Sequence, residues 1–285
     1  MLVLAPAKLN LCLYLGPRRE DGLHEICSLF EPLALADLIA VSEVGGEADE
    51  VICPAVEGED LAARALAALR ERGWERPPLR IEIEKRIPVA AGLGGGSADA
   101  AAVLRLARDP VGMAGWVPDL EEIAMRLGAD VPSQLRPALA LVRGAGESVE
   151  PLPDPAPHAA VLLPGGGGLG TAAVFAEADR LGLGRPAAEL EELAAELRRA
   201  AGAGASPLAY PELLVNDLEP AARSLRPAVG AALDELRAAG APVAILSGSG
   251  PTAVGLFDDL ASARAAAAAI ECEGEAIVCE AGRAP

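Results

Sequence analysis

The stretch from Pro88 to Ala102, PVAAGLGGGSADAAA, is the most informative part of this sequence. It follows the alternating segment Leu79 to Glu84, whose apolar residues fall on one face of a strand, and it leads into a predicted helix, Ala100 to Leu106. Glycines in such a turn accept φ > 0 and let a ligand approach the backbone, while free N–H groups at a helix start attract anions. The pattern favours a phosphate-binding turn, with an ordinary tight loop as the alternative.

Neither common phosphate-loop template matches this stretch. A Walker loop needs Gly-Lys-Ser/Thr, where this chain has Gly-Gly-Ser. The dinucleotide fingerprint needs a third spaced glycine and an acidic residue near positions 112–116, and both are missing from the sequence. Another kind of nucleotide loop is therefore predicted.

Length and composition predict a globular protein of two lobes. The chain has 285 residues, of which 52% are hydrophobic, and single cores seldom grow beyond about 250 residues. The proline-rich segment Pro151 to Pro157 is the best candidate boundary, giving lobes at 1–150 and 151–285. No apolar run reaches ~18 residues and the N-terminus lacks a basic leader region, so we expect a soluble cytoplasmic protein without membrane contacts.

The charge balance argues against a nucleic-acid partner. The net charge is −18, from 24 basic and 42 acidic residues, and such a surface repels a polyphosphate backbone. Only two of the basic residues are lysines, Lys8 and Lys85. Lys8 stands in an apolar segment that is typical of a central strand, which suggests a functional role, although a strand-end lysine that reaches solvent is the alternative. Five scattered cysteines predict reduced thiols and neither a disulfide frame nor a zinc site.

Periodicity and turn residues predict further elements along the chain. Asp130 follows one predicted helix in the turn Gly128 to Pro132, where a turn or N-cap role is the alternative to a catalytic one. The loop Ser247 to Pro251 is a second turn suited to anions, or a hairpin connector. The predicted helices are 60–73, 120–127, 187–201, 228–239 and 260–270, and the predicted later strands are 159–163, 243–246, 252–257 and 276–279.

Three motifs in order resemble those of the GHMP kinases. They are the strand motif P-A-K-x-N-L at Pro6 to Leu11, the glycine loop at Pro88 to Ala98, and S-G-S-G-P-T at Ser247 to Thr252. The resemblance implies an α+β, two-lobed fold with mixed sheets, helices packed on them and the nucleotide in the cleft between lobes. Residues 1–150 would form the ATP-binding and catalytic domain and residues 151–285 the C-terminal domain. Four further stretches extend the resemblance over nearly the whole chain: 21–25, 128–132, 163–165 and 216–220.

The resemblance implies an ATP- and Mg²⁺-dependent kinase. Because of these four stretches, the chain is most similar to the branch of the family that phosphorylates the 2-hydroxyl of a cytidine diphosphate-linked methylerythritol, in the non-mevalonate route to isoprenoids. The resemblance implies that activity here. Asp130 would take the hydroxyl proton and Lys8 would lie against both that carboxylate and the transferred phosphate. The magnesium ligands stay unassigned. The ATP phosphates would be wrapped by Pro88, Val89, Ala90, Ala91, Gly92, Leu93, Gly94, Gly95, Gly96, Ser97 and Ala98.

The substrate pocket of the family matches this chain only in part. Matching positions are Asn10, His24, Thr171, Phe175 and Gly248. At Leu23 the family usually has Tyr, which closes one face of cytosine, so weaker cytidine binding is expected. Aromatic residues are usual where Ser133-Gln134 stand, and Asn is usual at Asp60.

Two other functions stay open at this point. One is a different small-alcohol kinase of the family, of the mevalonate or homoserine type. The other is a nucleotide-binding relative without turnover. A monomer and a homodimer are equally compatible with the sequence.

Overall fold

The computed structural model of the chain describes residues 1–46, 48–56, 58, 60–108, 119–271 and 275–285. The strands of these ranges are β1 (Leu2–Arg18), β2 (His24–Glu43), β3 (Glu50–Ile52), β4 (Leu79–Glu84), β5 (Ala140–Gly144), β6 (Ser148–Pro151), β7 (His158–Leu163), β8 (Val243–Leu246), β9 (Ala253–Phe257) and β10 (Ile277–Ala281). The α-helices are α1 (Leu61–Glu71), α2 (Gly95–Leu106), α3 (Leu120–Leu127), α4 (Val131–Gln134), α5 (Thr171–Leu181), α6 (Ala187–Ala201), α7 (Glu219–Leu225), α8 (Ala228–Ala238) and α9 (Leu260–Ala269). The predicted α+β class is confirmed.

The strands form mixed sheets that meet at β2. This long strand pairs antiparallel with β1, with β4 and with β5, while β3 lies parallel to β4 and β6 lies antiparallel to β5. The later strands follow in the order β10, β7, β9, β8, all antiparallel. β10 joins the two sets, because Ala281 pairs with Leu33 of β2 and with His158 of β7.

The sequence predicted a central strand at β1, and this is only partly right. Among the strands of the described ranges β1 pairs with β2 alone, and other segments of the chain cover it. Every residue from Ala5 to Gly16 is buried, so both faces of the strand are covered. A strand covered on both faces reads as a continuous apolar run. Lys8 and Asn10 interrupt that run, and they are therefore polar side chains inside the protein, at 6% and 1% exposure.

Most predicted helices and strands agree with the structure to within one or two residues, which is the usual uncertainty of element ends. The prediction for α2 was wrong at its start: the helix begins at Gly95, five residues before Ala100. Glycine is a poor helix former, which is why the pattern did not mark this turn as helical. The predicted cap of α1 is confirmed, since the Asp60 side chain accepts a hydrogen bond from the Ala63 N–H at 2.7 Å.

The proline-rich segment connects β6 to β7, and the proposed domain boundary at residue 150 stays a prediction. One core cluster draws on both halves of the chain, since Leu9 and Leu11 of β1 pack with Leu190 and Leu197 of α6.

Four of the five cysteines are free, with Cys12, Cys27 and Cys279 buried and Cys53 half-buried, and Cys272 lies outside the described residues. Among the described helices, none has the length and apolarity required to cross a bilayer.

Candidate active site

The two residues predicted to carry chemistry lie side by side. The Nζ atom of Lys8, on β1, is 3.3 Å from the Oδ2 atom of Asp130. The lysine side chain is 7% exposed and the aspartate side chain is 32% exposed. The ion pair is therefore covered on the lysine side and open on the carboxylate side, where an acceptor hydroxyl can enter.

Neighbouring strands fix the direction of the Lys8 side chain. Its ammonium donates a hydrogen bond to the Asn10 Oδ1 atom at 2.6 Å and lies 4.5 Å from the centroid of the Phe30 ring. The Asn10 amide in turn donates to the Ser28 hydroxyl at 3.0 Å. Because the charge meets a carboxylate, an amide oxygen and an aromatic face, it is held at one place in a largely buried site.

Asp130 occupies the N-cap position of α4, but within the described residues its side chain makes no capping hydrogen bond. The carboxylate faces Lys8 instead, and only the main-chain carbonyl of Asp130 is used locally, accepting from the Ser133 hydroxyl at 2.8 Å. Asp130 lies in the predicted turn, but a capping role does not explain the position of its side chain.

The glycine loop lies directly against Lys8. The Lys8 N–H donates to the Leu93 carbonyl at 2.9 Å. Gly92 and Gly94 have φ of 78° and 69°; a Cβ on Gly92 would stand 2.7 Å from the Ser247 carbonyl oxygen, and one on Gly94 would stand 2.9 Å from Lys8 Cγ. These two glycines are thus required by contacts inside the protein as well as by any ligand.

The third glycine motif packs on the second one. The Ser247 hydroxyl donates to the Gly92 carbonyl at 3.0 Å, and the Thr252 hydroxyl donates to the Ala91 carbonyl at 2.6 Å. A Cβ on Gly248 would lie 3.1 Å from Asn10 Oδ1 and 3.8 Å from Lys8 Nζ. Gly248 therefore adjoins the ion pair, and the three sequence motifs converge on one place.

Asn216 holds this third loop, a function that sequence reasoning missed. Its Nδ2 atom donates to the carbonyls of Leu246 at 2.8 Å and Gly248 at 2.7 Å. The sequence contained a signal, because Asn216 begins one of the stretches shared with the family. Its spatial neighbours, about 30 residues away in the chain, could not be read from that stretch.

A cavity of about 350 Å³ opens beside the glycine loop, within the usual size range of ligand pockets. Among the described residues no side chain caps the start of α2, so the N–H groups of its first turn stay available to an anion. Residues 88–97 of the predicted nucleotide loop line the cavity, whereas Ala98 is fully buried. The other lining residues are Cys53, Val56, Asp60, Leu61, Ala62, Lys85 and Asp99.

Lys85, which had no predicted role, places a cation in the wall of this cavity. Its ammonium bonds to the carboxylates of Asp37 and Asp99, the latter at 2.6 Å. Burial raises the pKa of Asp99 to about 7, although Lys85 opposes the shift. The rarity of lysine in the chain is the sequence signal that points to this position.

His24 and Phe175 form a second group of predicted residues. Their ring centroids are 5.5 Å apart with a 40° tilt. The His24 Nε2 atom lies 3.1 Å from Asp179 Oδ1, and Nδ1 lies 3.2 Å from the Gly16 carbonyl oxygen, so acceptors face both ring nitrogens. The adjacent Leu23 side chain is 55% exposed. The pair is suited to contact a planar base, with an aliphatic surface beside it.

Thr171 connects the two groups. It is the first residue of α5, the helix that also carries Phe175, and its hydroxyl lies 3.0 Å from that of Ser249 in the third glycine loop. The four glycines at 165–168 lead into this helix, and Arg226 donates to the carbonyls of Gly166 and Gly167 at 2.8 and 2.6 Å. One arginine thus holds the loop that leads to Thr171.

Two family models match the chain, one over the part with the glycine loop and one over the part with the third motif. The model described as GHMP kinases N terminal domain matches residues 60–136, and the one described as GHMP kinases C terminal matches residues 190–276. Together they cover more than half of the chain. The chain belongs to the GHMP kinase family, which makes it an ATP-dependent kinase acting on a small molecule.

Individual relatives refine this class. A curated protein of Thermobifida fusca, named 4-diphosphocytidyl-2-C-methyl-D-erythritol kinase, is 40% identical over 95% of this chain and 92% of its own length. A crystal structure of 4-(cytidine 5'-diphospho)-2C-methyl-D-erythritol kinase is 36% identical, with a TM-score of 0.80 over 99% of this chain and 100% of that one. The homoserine kinase of Cytophaga hutchinsonii has a TM-score of 0.71 over 98% of this chain and 94% of that one, at 19% identity, and shares the fold.

Proposed function

We propose that the chain transfers the γ-phosphoryl group of ATP to the 2-hydroxyl of 4-(cytidine 5'-diphospho)-2-C-methyl-D-erythritol, a step of isoprenoid precursor biosynthesis. The observation that carries the proposal is the 3.3 Å contact between Lys8 Nζ and Asp130 Oδ2 beside a glycine loop. The names of the relatives that match almost the full chain support the choice of substrate.

In this reaction Asp130 accepts the proton of the acceptor hydroxyl as the oxygen attacks phosphorus. The O–H bond breaks, a new O–P bond forms, and the bond between the γ-phosphorus and the bridging oxygen breaks with release of ADP. Phosphoryl transfer passes through a loose transition state with negative charge on the phosphoryl oxygens, so positioning and fixed positive charge supply most of the rate. Lys8 supplies that charge and stands next to the base.

The triphosphate would lie along residues 88–98, with its charge on the free N–H groups at the start of α2. In the described part of the chain, no three His, Cys, Asp or Glu side chains converge in a way that could hold a metal ion. Because Mg²⁺ gives up its water reluctantly, it would be held chiefly through phosphates and water, and the half-buried Ser97 hydroxyl is the candidate protein ligand. The ion would neutralise phosphate charge during transfer.

The cytidine end of the substrate would lie on His24 and Phe175, and Asn10, Gly248 and Thr171 would contact the part nearer the acceptor hydroxyl. Leu23 offers an aliphatic contact in place of a second ring, so binding of the base depends chiefly on Phe175.

We place the domain division at residue 150 and the reaction in the cytoplasm, where ATP and nucleotide-linked metabolites are held, and we expect a monomer or a homodimer.

The test is to incubate the purified protein with Mg²⁺, ATP and this alcohol, and to follow ADP and the phosphorylated product by ³¹P NMR. Mevalonate and homoserine in parallel reactions decide between this function and the other small-alcohol kinases. We expect product from the cytidine substrate alone. ATP consumption without that product, or faster phosphorylation of another alcohol, would overturn the assignment.

A further inference from the structure

The short helix α4 places Asp130, yet it has little stability of its own. It spans four residues, Val131–Gln134. A helix of one turn is unstable alone because the free-energy cost of nucleating it exceeds the stabilisation that one turn of hydrogen bonds provides. The position of Asp130 relative to Lys8 must therefore be set by contacts between α4 and the rest of the protein.

Gln134 makes such a contact with β1. Its side chain is 2% exposed, and its Nε2 atom donates a hydrogen bond to the Pro6 carbonyl at 3.2 Å. Pro6 lies two residues before Lys8, and Gln134 lies four residues after Asp130. This one bond joins the two segments that carry the ion pair.

Arg105 of α2 makes a second connection between the same two segments. Its guanidinium donates to the Gln134 carbonyl at 2.7 Å and to the Leu4 carbonyl of β1 at 2.8 Å. Burial lowers the pKa of this arginine to about 10. Both of these hydrogen bonds go to main-chain carbonyls, so the side chain acts as a brace between β1 and α4.

We propose that Gln134 is a positioning residue which, with Arg105, sets the distance between Lys8 and Asp130. Asp130 is one-third exposed, so its ion pair with Lys8 alone is too weakly held to fix a whole helix. Val131 and Leu135 pack this segment into the apolar core, and the hydrogen bonds of Gln134 and Arg105 set its position against β1. The inference rests on the proposed function, since it assigns Gln134 a role that acts through the base.

The test is single-turnover and steady-state kinetics of Gln134→Met, which keeps the length of the side chain and removes its donor. Because a misplacement of about 1 Å can cost ~10²-fold in rate, we expect kcat to fall about tenfold for a smaller shift. KM for both substrates should stay within about twofold, since binding contacts are untouched. In an Asp130→Asn background, which has no base to position, the same change should leave the residual rate within about twofold.

Tyr14→Phe is the matched control, because it also removes a buried hydrogen bond to a carbonyl, that of Leu213 at 2.9 Å. It should lower the unfolding temperature and leave kcat unchanged. If Gln134→Met does not fold, Arg105→Met carries the test with the same expected pattern. An unchanged kcat, an equal loss in the Asp130→Asn background, or an equal loss in Tyr14→Phe would overturn the proposal, whereas a wild-type protein without kinase activity would overturn the proposed function itself.

Discussion

The proposed reaction centre, Lys8 with Asp130, and the proposed base-binding group, His24 and Phe175 with Leu23, are built in different ways. Lys8 is 6% exposed and has a carboxylate, an amide and a ring as fixed neighbours, on a frame of hydrogen bonds between distant segments. The base-binding group has two tilted rings and Leu23, which is 55% exposed. Proton and phosphoryl transfer need fixed distances, whereas binding a base needs contact area. We therefore expect the second region to tolerate substitutions that the first does not.

The largest expected effect comes from breaking the reaction centre. Asp130→Asn keeps the shape of the side chain and removes the base, and loss of a general base costs ~10²- to 10⁴-fold in rate. We expect that loss in kcat from single-turnover phosphoryl transfer, with substrate KM changed little. Retention of more than a tenth of the wild-type rate would remove Asp130 from the chemistry.

The buried ion pair between His158 of β7 and Glu31 of β2 is tested by His158→Ala. The His158 Nε2 atom lies 3.1 Å from Glu31 Oε2, and both side chains are fully buried. Removing one partner of a buried ion pair leaves the other charge unpaired and costs ~3–5 kcal/mol. Urea unfolding should show this loss, and an effect below about 1 kcal/mol would contradict the expectation for a buried pair.

The same pair predicts a pH dependence. Burial lowers the pKa of His158, but the hydrogen bond and charge of Glu31 outweigh it and raise the pKa above its usual value. A histidine whose pKa is raised by folding stabilises the folded state fully at pH values below its unfolded-state pKa of ~6.5. This stabilisation is lost as the pH rises through the pKa of the histidine in the folded state. The free energy of unfolding should therefore fall with rising pH above ~6.5 in the wild type. In Glu31→Gln this fall should be much reduced, and an unchanged slope would exclude the pair as its source.

Leu23→Tyr tests whether the base stacks on the base-binding group. A second ring adds ~0.5–1.5 kcal/mol beyond buried area, so the Kd for the cytidine substrate should fall ~2- to 13-fold with little change in kcat. Calorimetry measures the change. Leu225→Tyr, at another exposed leucine (44%), is the control and should leave the Kd unchanged. Weaker binding by Leu23→Tyr would show that the base does not stack at this position.

The smallest expected effect concerns the loop between the two regions. Arg226→Ala removes two hydrogen bonds from the four-glycine loop that leads to Thr171. Each hydrogen bond stabilises the loop by ~0.5–1.5 kcal/mol, and only part of this free energy contributes to substrate binding. We therefore expect the substrate Kd to rise about threefold. A tenfold fall in kcat instead would mean that the loop governs the chemical step and not substrate binding.

The glycine motifs and the strand around Lys8 could be read from the sequence because they are local patterns. Lys8 stands out in an apolar run, and the glycines mark turns at fixed spacing. Their close packing on each other was not readable, since the contact of Gly92 with Ser247 joins residues far apart in the chain. The start of α2 was missed because glycine propensity opposes a helix there.

Partner residues show the same limit. Asp37 and Asp99 become neighbours of Lys85 only through the fold, and neither belongs to a pattern that spacing alone connects to lysine. Gln134 was visible as a departure from the usual aromatic residue, but its bond to Pro6 spans most of the N-terminal half. Local chemistry is encoded in motifs, whereas the contacts that hold it are set by tertiary structure.

The joint action of Lys8 and Asp130 is tested most directly by a crystal structure of the protein with a non-hydrolysable ATP analogue and the cytidine substrate. We expect the γ-phosphate within hydrogen-bonding distance of Lys8 Nζ, with the acceptor hydroxyl between it and the Asp130 carboxylate. A triphosphate bound away from the glycine loop, or a hydroxyl turned away from Asp130, would contradict this expectation.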